Sequence, residues 1–144
     1  MAKNSENTVY VFNKTKQTFL AYQAEVADSI LTRLRGLLGR RSLDPGTGLW
    51  IIPSSGIHTV GMLFDIDVVF LDRDFRVIAL RELVHPFSMT PLYLNSETVL
   101  ELPAHTIFKS RTEVGDKLVI SPHETALSLE AETAEPVENE QVRA

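Results

Sequence analysis

An imidazole and two carboxylates, His58, Asp65 and Asp67, fall within ten residues of one another. If residues 65–67 are extended, Asp65 and Asp67 project to the same face, because side chains alternate with a period of two. Such a carboxylate pair beside an imidazole suits a hard or borderline divalent cation, or a shared proton for general acid–base work. Asp67 directly precedes an apolar run and is expected to be partly buried, where an unpaired charge is costly. A buried aspartate at a strand entrance commonly accepts backbone amide hydrogen bonds, so a structural role is the simpler expectation, with ligand binding next and catalysis last. His85, His105 and His123 are too scattered to form a recognisable metal-ligand spacing.

Other chemistries are excluded by what the chain lacks. With no cysteine among its 144 residues, disulfides, thiolate metal sites and cysteine nucleophiles are all absent. Gly36-Leu37-Leu38-Gly39-Arg40-Arg41-Ser42 has no lysine followed by serine or threonine, as a phosphate loop needs, and Pro45-Gly46-Thr47-Gly48 lacks the strand-to-helix setting of a dinucleotide fingerprint. Ser54-Ser55-Gly56 is not a nucleophile elbow. Trp50 and Phe64 end buried-looking segments and are read as core rather than as a sugar-stacking platform.

The elements that must hold these residues are mostly strands. Val9–Phe12 and Thr18–Tyr22 flank a polar turn and predict an N-terminal hairpin. Ile30, Leu31, Leu34, Leu37 and Leu38 recur at helical spacing, with Asp28 or Ser29 as the N-cap and Gly39 as the terminator. Arg33, Arg35, Arg40 and Arg41 gather at the end of this helix, where cations complement its dipole; they read first as a solvated terminus and second as a patch for an anionic partner. Leu49–Ile52 predicts a strand buried on both faces. Residues 66–71 and 75–80 form the clearest hairpin, reversed at Asp72-Arg73-Asp74. An irregular connection over 85–96 leads to a strand at Thr98–Leu102, a short helical turn within 104–110 and a last strand at Lys117–Ile120.

Hydrophobic residues at 44% and charged residues at 23% are ordinary for a globular chain of this length with one core. The net charge of −5 is concentrated at one end: residues 121–144 hold six glutamates against Arg143, so the body carries 13 charges of each sign. A neutral body lacks the basic excess of a nucleic-acid footprint, and no stretch approaches the ~20 apolar residues needed to cross a bilayer. The chain also shows no apolar leader behind a basic start, and a cytoplasmic location is expected.

Three stretches, in order, carry a family resemblance: Arg33-Leu34-Arg35-Gly36-Leu37-Leu38-Gly39-Arg40, then Gly56 through Asp72 (Gly-Ile-His-Thr-Val-Gly-Met-Leu-Phe-Asp-Ile-Asp-Val-Val-Phe-Leu-Asp), then Val99-Leu100-Glu101-Leu102-Pro103-Ala104. With Gly115-Asp116 following, roughly residues 8–120 resemble the bacterial and archaeal family known as domain of unknown function 192, or uncharacterised protein family 0127. The chain departs from the family pattern twice, with no proline ahead of Asp67 and with His105 where the family has glycine. The resemblance implies a compact α+β domain with a barrel-like, largely antiparallel sheet, and it implies no activity, cofactor or metal.

The expected protein is therefore a single β-rich domain over 1–120, with one amphipathic helix and a disordered acidic tail over 121–144. Its expected role is a non-catalytic ligand-binding or accessory module with a polar site near residues 54–67, taking a small molecule or a protein rather than nucleic acid. The alternatives are a small metal-assisted hydrolase using His58, Asp65 and Asp67, and a protein-interaction module without a small-molecule site.

Overall fold

The computed structural model describes residues 7–122; the tail expected over 121–144 lies, from residue 123 onward, outside the described residues. Seven strands appear in the predicted sequence order: β1 Thr8–Asn13, β2 Thr18–Ala27, β3 Thr47–Ile51, β4 Ile66–Leu71, β5 Val77–Val84, β6 Thr98–Pro103 and β7 Leu118–Pro122. Helix α1 (Ile30–Arg35) joins β2 to β3, and α2 (Thr106–Ser110) joins β6 to β7. The strands form one sheet in the order β5-β4-β6-β3-β2-β1-β7.

Every neighbouring pair is antiparallel except β2 and β3, which run parallel from Gln23 beside Thr47 to Ala27 beside Ile51. Parallel neighbours need a long crossover, and the segment carrying α1 supplies it. The sheet curls into a half-barrel whose two edges meet at one corner. There the Leu118 amide donates to the Phe75 carbonyl (2.9 Å), the Val77 amide to the Asp116 carbonyl (2.9 Å) and the Gly115 amide to the Val77 carbonyl (2.8 Å).

This curl explains why β4 is buried at all six positions. Val69 and Leu71 join a cluster with Leu100 and Leu102 of β6, Val77 of β5 and Leu118 of β7. Residues from opposite edges can share one cluster only inside the curl. Ile66, Val68 and Phe70 alternate to the other face, where Leu49, Ile51 and Val99 pack beneath Leu37 and Met62 from the flanking connections. Each large apolar side chain fully buried this way contributes about 1.5–3 kcal/mol. Backbones also approach closely: a Cβ at Gly48 would lie 2.8 Å from the Glu101 carbonyl oxygen, so β3 sits against β6 with no room for a side chain there.

Local signals decide the turns and caps. Asp72 Oδ1 accepts from the amides of Asp74 (2.9 Å) and Arg76 (3.0 Å), reversing β4 into β5 as an Asx turn does. Ser29 caps α1, taking the Thr32 amide at 3.1 Å while Thr32 Oγ1 takes the Ser29 amide at 3.0 Å. The helix is shorter than its leucine periodicity predicts. It stops at Gly36 (φ 44°, ψ −128°), a backbone conformation that glycine tolerates and leucine does not. Leu37 is then buried from a turn rather than from a helix face, and Leu31 stays exposed. Strand β7 continues two residues past the expected boundary at 120, pairing Ser121 with Tyr10 and Pro122 with Val9.

Candidate functional site

The three residues expected to form a site occupy three different surroundings. Asp67 points inward from β4 and is fully buried. Its Oδ1 accepts from the Leu83 amide (3.0 Å) and its Oδ2 from the Ile107 amide (2.9 Å). Ile107 lies in the first turn of α2, whose N-cap, His105, makes no side-chain capping bond. Asp67 therefore caps α2 from a distant strand, which places its charge at the favourable end of the helix. His105 itself adopts φ 72°, the left-handed region that favours glycine. This accounts for the glycine that the family pattern has at this position.

Asp65 precedes β4 and pairs with a histidine other than the expected one: its Oδ1 lies 2.8 Å from His85 Nδ1. It borders a broad groove walled by Phe12, Phe19, Tyr22 and Phe64. His58 is exposed, bridges to Met89 through its backbone, and lines a separate cavity of about 270 Å³. Among the described residues no group of three or more His, Cys, Asp or Glu converges as a metal set. Trp50 packs edge-on against Phe75 at 5.7 Å, and Phe64 packs against the second core cluster, in keeping with core roles.

The cavity beside His58 brings in a residue that sequence reasoning passed over. Period-two alternation in β6 turns Leu100 and Leu102 into the curl and sets Glu101 with Val99 on the opposite face. Glu101 is only 4% exposed, it lines the cavity, and its Oε2 takes no hydrogen bond. Burial pushes its carboxyl up to about 7, and the positive charge of Arg40 offsets only part of that shift. The sequence signal was a single acid inside Val-Leu-Glu-Leu-Pro, which alternation alone would have assigned to a solvated face.

Arg33 and Arg35 line the outer part of the same cavity, Leu37, Ile51 and Met62 form its apolar wall, and Gly56 lies beside His58. Arg33 is held by its Nε to the Ser29 carbonyl (3.3 Å) and by its Nη1 to the Pro53 carbonyl (3.4 Å), so α1 is tied to the loop that carries His58. Arg40 pairs with Glu25 at 2.8 Å. The basic cluster of α1 thus divides: Arg40 serves an ion pair, while Arg33 and Arg35 face the cavity. Chemically, the arrangement offers a proton-exchanging carboxyl deep inside, cations and an imidazole nearer solvent, and apolar surface between them.

The family model for domain of unknown function 192, described as "Uncharacterized ACR", matches residues 11–120. A UPF0127 protein of Thermococcus sibiricus is 29% identical over 116 residues, covering 75% of this chain and 72% of that one. Another, from Thermococcus kodakarensis, is 28% identical over 134 residues, covering 90% and 81%. Both relatives are archaeal. A crystal structure of a protein of unknown function from Novosphingobium aromaticivorans superposes with a TM-score of 0.68 at 19% identity, covering 78% of this chain and 83% of the other, a likeness of fold. No helix among the described residues is long and apolar enough to cross a membrane.

Proposed function

Because this chain belongs to the domain of unknown function 192 family, which brings no assigned activity, we propose from its own cavity that it is a non-catalytic module binding a small polar ligand between Glu101 and the outer side chains His58, Arg33 and Arg35. The observation that carries this reading is the Glu101 carboxyl: the residue is buried, yet one carboxyl oxygen accepts no hydrogen bond and the group borders a cavity. Leaving a buried polar atom unpaired costs about 1–3 kcal/mol. A fold that needed only stability would place leucine there, so an acid at this position points to a ligand that pairs with it. The cavity lies near the lower end of the roughly 300–1,000 Å³ typical of ligand pockets, which suits a compact molecule.

The test is backbone amide NMR during a fragment screen of small acids, amines, sugars and nucleotides, repeated with divalent metals. Shifts clustered at residues 33–38, 51–58 and 101, and lost in both His58→Ala and Glu101→Gln, are expected. Shifts that persist in both variants would overturn the assignment to this cavity.

A second reading rests on a different observation. Phe87, Met89, Leu92 and Leu94, in the connection from β5 to β6, are 73–93% exposed, and apolar exposure of that kind often marks a protein contact. An interaction module would show shifts at 85–95 on adding its partner, with the cavity resonances unmoved.

A further inference from the structure

We infer that the ligand of the Glu101 cavity is a small zwitterion, with an amino group directed at Glu101 and a carboxylate directed at Arg35 and Arg33; this rests on the binding role proposed above. Both signs of charge line one cavity and do not neutralise each other. Glu101 makes no ion pair with either arginine, and the arginine charge that it does feel comes from Arg40, which is committed to Glu25 at 2.8 Å. Arg33 uses its Nε and Nη1 on backbone carbonyls, while Arg35 is exposed.

The depths of these groups differ. Glu101 is buried and Arg35 is at the surface, with Leu37, Ile51 and Met62 along the wall. A complementary molecule therefore carries its donor at the inner end, its anion at the outer end and a short apolar body between. An ammonium group would supply the missing donor and compensate the buried carboxylate, because a buried charge is tolerated when it is paired and hydrogen-bonded. A guanidinium's fork suits the anion. A simple amine would leave the arginines unpaired, and a simple acid would place its anion on them while leaving Glu101 unmatched.

The experiment is isothermal titration at about pH 8, where Glu101 is largely ionised, using ω-aminocarboxylic acids from glycine to 6-aminohexanoate with the matched alkylamines and alkylcarboxylates. One aminocarboxylate is expected to bind at least about tenfold more tightly than both of its single-charge analogues. Glu101→Gln should reduce it to the level of the carboxylate, and Arg35→Gln to the level of the amine. Glu101→Gln is near-isosteric and is expected to fold, which its melting transition checks. An amine that binds as tightly as the zwitterion and is lost in Glu101→Gln would overturn the zwitterion while leaving the cavity's binding role intact. No binding by any member of the series would overturn the zwitterion too, and the fragment screen above then decides whether the cavity binds anything else.

Discussion

Two buried carboxylates of the same sheet behave in opposite ways because of what surrounds them. Asp67 has a backbone donor on each oxygen, from Leu83 and Ile107. Replacing it with alanine is expected to cost about 1–3 kcal/mol for each buried donor left unpaired, read by urea unfolding, with Asp67→Asn falling between because its one carbonyl can serve one donor. A midpoint for Asp67→Ala unchanged within error would reject the capping role. Glu101 has no such donors, and burial holds its carboxyl near 7 against 4.5 in the open chain. Between those values the folded protein keeps a proton that the unfolded chain has released, so this group's contribution to stability is full below about 4.5 and is lost as pH rises through about 7. At about 1.4 kcal/mol per unit the loss is on the order of 3 kcal/mol. The melting temperature of Glu101→Gln minus that of wild type is therefore expected to widen between about pH 5 and about pH 8. A gap that stays constant would mean that Glu101 is solvated.

Among the elements, the corner where β1, β5 and β7 converge carries the other titrating network. Asn13, at the end of β1, is fully buried; its Nδ2 donates to Asp116 Oδ2 (2.9 Å) and to Thr112 Oγ1 (3.2 Å), and its Oδ1 accepts from the Lys16 amide (2.9 Å). Asp116 also accepts from the Glu113 amide (2.9 Å) and from Lys16 Nζ (3.1 Å). Burial pushes the Asp116 carboxyl up, but the bonds from Asn13 and Glu113 and the Lys16 ammonium outweigh it and hold the group below the usual aspartate range. The sign is opposite to that of Glu101: the stability contributed by Asp116 is present above the unfolded value of 3.8 and is lost as pH falls through the lower folded one. Asp116→Asn is expected to lower stability at neutral pH and to flatten the acid limb of the wild-type pH profile. Hydrogen exchange should report the damage at the Val77 and Leu118 amides, which close the corner; unchanged protection there would separate the Asp116 network from barrel closure.

For the molecule as a whole, all described strand pairings end by Pro122, so removing residues 123–144 is expected to leave a cooperative melt within error of the full chain. A broadened transition would show that the terminal residues belong to the fold. The strands along the chain, the two hairpins and the Asp72 reversal were legible in the residues, because alternation, turn chemistry and capping act over a few positions. So was the backbone-accepting role of Asp67, from an acid placed at the head of an apolar run. Three features needed the folded chain: the parallel match of β2 with β3, the contact of edge β5 with edge β7, and the assembly of Arg33, His58 and Glu101 around one cavity. Periodicity assigns a side chain to one of two faces but does not say whether that face meets water or another segment. Glu101 fits a solvated face by pattern, yet it is buried, beside a cavity that residues of α1 and of the loop bearing His58 also line. Asp65 likewise lay near His58 in sequence, yet the return of the chain after β5 brought His85 to it instead. Local chemistry along the chain specified the elements; the packing of distant faces, which no short window contains, specified which side chains share a site.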